Sequence, residues 1–281
     1  MQITNNTNQW PDDWGQKTSI MGVVNLTPDS FSDGGELNSI SKVLDKVNNF
    51  LINGVDIVDL GAQSTRPGAD EIGSKKEIKR LIPYLKIIRS EFPNILISID
   101  TFNSDVAYEA LSNGANWIND VTGGRRDAGI LDVVSKFKSP FVITHSRGNS
   151  KNMNQMNKYD DLMDDICCSL DNLTNKALKK NIPEENIIWD PGIGFSKNLN
   201  QNLEVLRNLD LLKKYNFPIL IGASRKRFLG EILNESNPLE RDIGNLAISC
   251  LCSQLNIHLV RVHNVKQNYQ ILKVADSIYR N

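Results

Sequence analysis

The sequence lacks both a strong net charge and a long apolar run. Its 281 residues carry a formal charge of −1 at pH 7 and an isoelectric point near 6.3. No overall field therefore attracts nucleic acid or an anionic membrane, so an anion site has to be built locally. No apolar stretch approaches the roughly 20 residues needed to cross a bilayer. Residues 1–17 have the composition of neither a signal peptide nor a transit peptide. We expect a cytoplasmic protein without nucleic-acid or membrane partners.

Cysteine is also scarce. Four cysteines occur as two close pairs, Cys167–Cys168 and Cys250–Cys252, and neither pair has the spacing of a zinc site. Both pairs lie in apolar segments that favour helices, so we interpret them as small buried hydrophobic residues. The pattern gives no sign of an oxidising compartment. The glycine spacings of Walker and Rossmann nucleotide-binding loops are absent as well.

The sequence does contain a regular alternation of short apolar runs and longer amphipathic segments. The runs are Ser19–Val24, Val55–Leu60, Ile95–Ile99, Trp117–Ile118, Phe141–Ile143, Ile187–Trp189, Ile219–Ile221 and His258–Val262. Continuous apolar runs are typical of parallel strands that are covered on both faces. Segments such as 41–53, 75–91 and 106–113 predict helices, and Gly54 and Gly114 follow two of them where helices commonly end.

Eight strand–helix units favour a closed barrel over an open sheet. We predict an α/β protein with a single-domain (β/α)8 TIM barrel over residues 18–281. Residues 1–17 form a lead-in segment, which we expect to make a short hairpin under the barrel. A polar stretch over 147–161 interrupts the alternation after the fifth run. It is either a mobile active-site loop or a partly ordered insertion.

Nearly every apolar run is followed by a hydrogen-bonding or charged residue. These residues are Asn25, Asp100, Asn119, Asp120, His145, Asp190, Ser224, Arg225, Lys226, Arg261 and His263, together with the segment Ser64–Gly68. Barrel enzymes work at the carboxyl ends of their strands, and folding requires no such ring of polar groups there. The ring therefore predicts an active site, although Asp100 taken alone also suits a helix cap.

One set of these residues suits a flat heterocycle. Asp100, Asn119 and Asp190 offer carboxylate and amide groups that pair with ring N–H groups and ring acceptors, and Lys226 offers a donor beside them. Buried polar groups have to be matched by their ligand, which makes such a pocket selective.

A second set suits a phosphate or a diphosphate. Arg66, Arg261 and His263 are cationic or proton-donating groups predicted to lie at the same mouth. Asn25 contributes a neutral amide, whose oxygen is also a suitable ligand for Mg²⁺ shared with a diphosphate. An alternative interpretation of Arg66 is a solvated loop residue without a role in the site.

The motifs at these positions closely resemble those of the dihydropteroate synthase family, from about Ser19 to the last strand. The matching blocks are Met21–Gly35, Asp59–Gly68, Ser98–Thr101, Asn119–Gly124, Asp190–Phe195, Gly222–Lys226 and Val260–His263. The resemblance implies the condensation of 4-aminobenzoate with (7,8-dihydropterin-6-yl)methyl diphosphate, giving 7,8-dihydropteroate and diphosphate in folate synthesis. It also implies Mg²⁺ as the metal and a homodimer as the assembly.

The family pattern assigns roles to the matching residues. Asp100, Asn119, Asp190 and Lys226 are expected to hold the pterin, with Arg261 against its ring. The residues expected to bind the diphosphate and Mg²⁺ are Asn25, Arg66, Arg261 and His263. The residues expected around the aminobenzoate are Thr65, Pro67, Phe195 and Ser224. Within these sets we take Asp100, Arg66 and Lys226 as catalytic.

The fifth strand departs from the family pattern. Relatives often end this strand in Met-His-Met, whereas this chain has Thr144-His145-Ser146, and the role of His145 is left open. Two rival interpretations remain. A pterin-binding methyltransferase barrel shares the Asp100, Asn119 and Asp190 set but does not need the Thr65–Pro67 loop. A non-catalytic pterin-binding homologue is expected to lack Asn25, Arg66 or Lys226, all of which are present.

Overall fold

The computed structural model describes residues 9–26, 36–63 and 70–280, which include eight parallel strands of one sheet. The strands are β1 Ser19–Asn25, β2 Ile57–Gly61, β3 Leu96–Asp100, β4 Trp117–Asp120, β5 Phe141–Thr144, β6 Ile187–Asp190, β7 Leu220–Ile221 and β8 Leu259–Val262. They pair in the order β6-β5-β4-β3-β2-β1-β8-β7, and a parallel bridge between Trp189 and Ile219 joins the last two edges. The sheet closes, and the predicted (β/α)8 barrel is confirmed.

Helices follow the strands and cover the outside of the barrel. Those within the described residues are α1 Glu36–Ile52, α2 Ser74–Glu91, α3 Ser104–Ser112, α4 Gly129–Phe137, α5 Leu162–Lys179, α6 Leu199–Arg207, α7 Leu209–Lys213, α8 Arg227–Leu233, α9 Asp242–Gln254 and α10 Val265–Tyr279. Gly54 and Gly114 follow α1 and α3 with φ angles of 83° and 95°. These left-handed conformations favour glycine and explain why both helices end there.

The interior of the barrel is apolar at its lower end. One side chain from each strand joins a separate buried cluster, which we call the apolar ring: Met21, Ile57, Leu96, Trp117, Val142, Ile188, Leu220 and Leu259. The alternate residues of these strands, such as Ile20, Val58 and Ile97, pack outward against the helices. The continuous apolar runs of the sequence therefore supply two cores, one inside the barrel and one around it.

Two residues further along the even-numbered strands, the interior becomes polar. Because side chains alternate along a strand, these positions face inward again. β2, β4, β6 and β8 contribute Asp59, Asn119, Asp190 and Arg261, which we call the polar layer. In barrels of this kind, alternate strands supply the four side chains of one layer. A complete layer of the barrel interior is thus made of groups that hydrogen-bond.

The described part of the lead-in, residues 9–17, lies under the apolar ring. The Trp10 and Trp14 rings lie 4.9 and 5.7 Å from the Trp117 ring, and the Trp117 indole N–H donates to the Gln9 carbonyl. The segment consists of two consecutive turns and a parallel bridge between Trp14 and Lys17, and the rest of the expected hairpin lies outside the described residues. Its aromatic side chains close the lower end of the barrel.

Hydrogen bonds join the residue before β1 to the end of α10, at the lower end of the barrel. The Thr18 backbone N–H donates to Asp276 Oδ2 at 3.1 Å, and the Arg280 guanidinium donates to Thr18 Oγ1 at 2.8 Å. The structure describes the polar stretch 147–161 throughout, and part of it lines a cavity at the barrel mouth. It contains a 3-10 turn over Met153–Gln155, in which Met153 is buried, and the Tyr159 hydroxyl donates to the Ser196 carbonyl at 2.9 Å.

The four cysteines are unpaired, and their environments differ. Cys167 and Cys252 are buried as expected, whereas Cys250 is half-buried and Cys168 is exposed. The expectation of four buried cysteines was wrong for Cys168, because consecutive residues on a helix point in different directions. No helix within the described residues is long and apolar enough to span a membrane.

Candidate active site

Arg261 joins three strands of the barrel through carboxylates. Its Nε donates to Asp59 Oδ2 at 2.6 Å, and its Nη2 donates to Asp100 Oδ2 at 2.8 Å. Asn119 Nδ2 donates to the same Asp59 oxygen at 3.3 Å. The predicted residues Asp100, Asn119 and Arg261 therefore meet at the polar layer, through a carboxylate that the sequence analysis had not selected.

The Asp100 carboxylate is buried and only half satisfied. Its Oδ1 has no hydrogen-bond partner within the described residues, and neither has Oδ1 of Asp59. Burial raises the pKa of Asp100 to about 7, although Arg261 opposes the shift. A buried hydrogen-bond acceptor without a donor lowers the stability of the folded state, because it has lost its hydrogen bonds to water. A ligand with an N–H group aimed at Asp100 would remove this cost.

Asp190 and Lys226 lie beside this cluster. Burial raises the pKa of Asp190, whose Oδ1 accepts a hydrogen bond from the Gly192 backbone at 2.7 Å. Burial and the charge of Arg261 together lower the pKa of Lys226 to about 8. The Lys226 ammonium lies 4.0 Å from the centre of the Phe195 ring. The predicted residues Phe195 and Lys226 are therefore in contact.

Ser224 and His263 meet at the ends of the last two strands. The distance between His263 Nδ1 and Ser224 Oγ is 3.0 Å, and the His263 backbone N–H also donates to that oxygen. Asn25 ends β1 and is half-buried. It pairs in register with Gly61, which in turn pairs with Asp100. Gly61 has no side chain, and a Cβ there would lie 3.6 Å from the Asp100 Cβ, so the Asp100 side chain lies against this glycine.

Two polar residues at the strand ends serve the fold. Arg225 turns away from the mouth and makes a bidentate ion pair with Asp242 on α9, at 2.8 and 2.9 Å. Asp120 accepts hydrogen bonds from the backbone of Thr122 and Gly124, both at 2.7 Å, and fixes the loop after β4. The sequence places both residues at the mouth but does not indicate the direction of their side chains.

Three predicted residues, Thr65, Arg66 and Pro67, lie outside the described residues, as do positions 27–35 of the first loop. Their assignments stay predictions. A cavity of about 320 Å³ opens between the loops that follow β2 to β6. Phe195, Val121, Arg125 and Arg147 are among its lining residues, so it lies next to the predicted aminobenzoate contact at Phe195.

Sequence reasoning missed Asp59 and Lys197. Asp59 sits within an apolar strand, two residues before a strand end, and inward alternation along β2 was the signal that would have found it. Lys197 follows the matching block Asp190–Phe195 by two residues. Its ammonium donates to the carbonyls of Gly192 and Phe195 at 3.0 and 3.1 Å.

The described residues contain no group of three or more His, Cys, Asp or Glu side chains able to cage a metal ion. Mg²⁺ beside a diphosphate usually takes few protein ligands and several waters, so it does not require such a cage. Asn25 ends β1 at the mouth, and the chemistry of its amide oxygen fits the role of a single ligand.

Comparisons with known proteins agree with this geometry. Residues 21–263 match the family model described as pterin binding enzyme. A dihydropteroate synthase from Synechocystis is 42% identical over 268 residues, covering 95% of this chain and 92% of that protein. The folate synthesis bifunctional protein of Arabidopsis thaliana is also 42% identical, over 95% of this chain but only 58% of that longer protein.

A solved structure is similar along nearly the whole length. It is the dihydropteroate synthase of Clostridium difficile, crystallised in the presence of pteroic acid. The TM-score is 0.90 at 39% identity, and the match covers 96% of this chain and 99% of that chain. The chain therefore belongs to the pterin-binding enzymes and, among them, to the dihydropteroate synthase family.

Proposed function

We propose that the barrel mouth condenses 4-aminobenzoate with (7,8-dihydropterin-6-yl)methyl diphosphate to give 7,8-dihydropteroate and diphosphate, a step of folate biosynthesis. The protein is then a transferase of the pterin-methyl group. The observation that carries the proposal is the Asp100 carboxylate, which is buried beside Arg261 and keeps one oxygen without a donor. The family membership of the chain supports the same reaction.

The pterin is assigned to the polar layer. Asp100, Asn119 and Asp190 are the inward-facing acceptors and donors, and Lys226 supplies an ammonium beside them. A pterin presents N–H donors and ring acceptors along its edges, so it matches these groups with little remaining desolvation cost. The ion pairs with Asp59 and Asp100 fix the orientation of the planar Arg261 guanidinium, which offers one face to the pterin ring.

The reaction breaks the bond between the pterin methylene carbon and the diphosphate oxygen. Arg66, Arg261 and His263 are assigned to the departing diphosphate, where cationic groups stabilise the charge that develops. Asn25 would hold Mg²⁺ through its amide oxygen, and the ion, when bound, neutralises charge on the diphosphate. The Asp100 carboxylate stabilises positive charge on the pterin methylene as the bond breaks.

The new bond joins the methylene carbon to the nitrogen of 4-aminobenzoate, which then loses a proton. An arylamine is uncharged at neutral pH, so its attack needs no strong general base. Thr65, Pro67, Phe195 and Ser224 are assigned to this substrate, and the cavity beside Phe195 supports that placement. Ser224 is kept in place by its hydrogen bond with His263.

The test is a synthesis assay with and without 4-aminobenzoate and Mg²⁺, run beside the Arg66→Ala variant. The expected result is dihydropteroate and diphosphate in equal amounts, formed only when 4-aminobenzoate is present. Chelation of Mg²⁺ and the Arg66→Ala change are both expected to lower turnover strongly while the melting temperature stays unchanged. Diphosphate release without an aminobenzoate-dependent product would refute the proposal, as would pterin binding without turnover at any Mg²⁺ concentration.

We also propose a homodimer in the cytoplasm. α8, α9 and the 3-10 turn Pro238–Arg241 between them contact one another, and they expose Ile232, Ile243 and Leu239 in that order. Exposed apolar side chains on neighbouring elements are a feature of protein interfaces. The four unpaired cysteines suit a reducing compartment. Sedimentation equilibrium of the wild type and of Ile243→Asp tests the assembly, since only the variant is expected to sediment as a monomer.

A further inference from the structure

His145 at the end of β5 does not point into the polar layer. Its side chain is almost fully buried and lies between α5 and the loop that joins β6 to α6. Nε2 lies 3.0 Å from Asp165 Oδ1, and Nδ1 lies 2.9 Å from Lys197 Nζ. Asp165 also forms an ion pair with the Arg147 guanidinium.

The partners of the ring fix its protonation. Burial lowers the pKa of Lys197 to about 7, with the charges of Asp190 and Asp165 opposing the shift. In its ammonium form Lys197 only donates, so Nδ1 accepts from it and Nε2–H donates to the Asp165 carboxylate. Burial, together with the charges of Lys197, Arg125 and Arg147, lowers the pKa of His145 to about 2. The ring is therefore neutral at physiological pH and works as a fixed spacer between a carboxylate and an ammonium.

Lys197 uses each of its three N–H bonds in this arrangement. One goes to His145, and the others go to the carbonyls of Gly192 and Phe195. The ammonium thus holds both ends of the turn over residues 192–195. The same turn holds the predicted site residues, because Gly192 donates to Asp190 and the Phe195 ring contacts the Lys226 ammonium.

The turn over residues 192–195 is closely packed. Gly192 has a φ of 71°, and a Cβ there would overlap the His145 carbonyl oxygen. Gly194 has a φ of 78°, and a Cβ there would lie 2.8 Å from the Lys226 side chain. The turn therefore lies directly between His145 and Lys226, and the hydrogen bonds of Lys197 join it to the His145 side chain.

We propose that Lys197, held by His145 and Asp165, is a positioning residue that fixes the turn over residues 192–195 and so places Phe195 against the arylamine substrate and Lys226. The inference rests on the proposed function, because the arylamine is the substrate assigned to Phe195. Lys197 itself touches neither the polar layer nor the reacting atoms. Its loss should therefore affect the aminobenzoate more than the pterin. Of the residues assigned to the pterin, Asp100, Asn119 and Arg261 are held by hydrogen bonds with one another and with Asp59, and only Asp190 accepts a hydrogen bond from the turn.

The experiment compares Lys197→Met with Lys180→Met, which removes a lysine paired with Asp132 on the surface. For Lys197→Met we expect the KM for 4-aminobenzoate to rise about tenfold or more. The affinity for (7,8-dihydropterin-6-yl)methyl diphosphate with Mg²⁺, measured by calorimetry, should change by less than about threefold. Lys180→Met should match the wild type in both. An equal loss for both substrates would identify a merely structural role and overturn the proposal, and so would an unchanged KM.

Two His145 variants separate the hydrogen bonds of the ring. His145→Asn places an amide oxygen near the former Nδ1 and keeps an acceptor for Lys197, whereas His145→Leu removes it. His145→Leu should reproduce the KM defect of Lys197→Met, and His145→Asn should restore most of the wild-type value. Combining Lys197→Met with His145→Leu should add little to either change, since residues that act as one unit are not additive. Equal defects in His145→Asn and His145→Leu would contradict the arrangement.

Amide hydrogen exchange gives a readout that does not depend on turnover. Peptides covering residues 191–198 should exchange faster in Lys197→Met than in the wild type, without a change in Lys180→Met. If the wild type makes no dihydropteroate, the proposed function fails, while faster exchange would still establish the hold of Lys197 on the turn. If the wild type is active and neither KM nor exchange changes in Lys197→Met, only the present inference fails.

Discussion

The apolar ring and the polar layer lie two residues apart on the same strands and have opposite chemistry. The ring uses eight apolar side chains, one from each strand, and aromatic side chains of the lead-in cover it. The layer above it uses Asp59, Asn119, Asp190 and Arg261, and it includes a carboxylate oxygen that lacks a donor. Stability and substrate recognition are therefore assigned to different levels of one barrel, and substitutions at each level should have separable effects.

The largest effect is expected from Leu220→Ala in the apolar ring. Leu220 is fully buried, and a Leu→Ala change in a core leaves a cavity that lowers the free energy of unfolding by about 2–5 kcal/mol. The next position of the same parity is Gly222, directly after β7, and it has no side chain in the site. Turnover per folded molecule should therefore stay within about threefold of the wild type.

Urea denaturation and the synthesis assay measure the two quantities. Ile52→Ala is the matched control, because Ile52 is 76% exposed and its truncation should hardly change either value. A large loss of turnover in Leu220→Ala without a loss of stability would show that the two levels are not separable.

The next effect is expected from Asp100→Asn above the polar layer. The amide keeps the shape of the side chain but removes the charge, and Asp59 still pairs with Arg261. Turnover should fall about a hundredfold, equivalent to about 2.7 kcal/mol of activation free energy. At about pH 8 the free energy of unfolding should not fall, because the variant no longer buries this carboxylate.

The pH dependence of stability checks the same variant. The pKa of Asp100 is raised from its ordinary value of 3.8 to about 7, so the native state holds this proton more tightly than the unfolded state. The bound proton on Asp100 therefore stabilises the native state. This contribution to the free energy of unfolding is fully present below the unfolded pKa and is lost as the pH rises through about 7. The stability of Asp100→Asn relative to the wild type should therefore increase from about pH 4 to about pH 8. A difference independent of pH in urea titrations would contradict this assignment.

The smallest effect is expected from Ser98→Ala, between the two levels on β3. Its buried Oγ has no hydrogen-bond partner within the described residues. Removing the hydroxyl should leave the free energy of unfolding unchanged or raise it by up to about 1 kcal/mol, with turnover near the wild-type value. Ser139→Ala is the matched control, because the buried Ser139 hydroxyl donates to the Asn116 carbonyl at 2.8 Å. That control should lose about 1 kcal/mol.

The barrel could be predicted because the strand signal is strong. Each strand has to be apolar on both faces, so eight apolar runs mark eight strands with bounds correct to one or two residues. The shift in β2 has a visible cause. Val55 and Asp56 precede the strand, where the Asp56 carboxylate accepts a hydrogen bond from the Ile20 backbone.

The direction of the side chains at the strand ends was harder to predict. Asn119, Asp120 and Arg225 are all polar residues at strand ends, yet only Asn119 points into the polar layer. Asp120 and Arg225 are used by a turn and by α9. His145 bonds Lys197, 52 residues later in the chain. Such partners are set by tertiary packing, which local sequence patterns do not encode.

The fastening of Thr18 to α10 has a consequence for the architecture of longer chains. Residues 18 and 280 meet at the end of the barrel opposite the polar layer. Thr18 and Arg280 are therefore neighbours in space although 262 residues separate them in sequence, and both lie on the side away from the proposed substrates. In a longer chain, such as the Arabidopsis relative of which this chain matches 58%, these two positions of the barrel would leave the polar layer free.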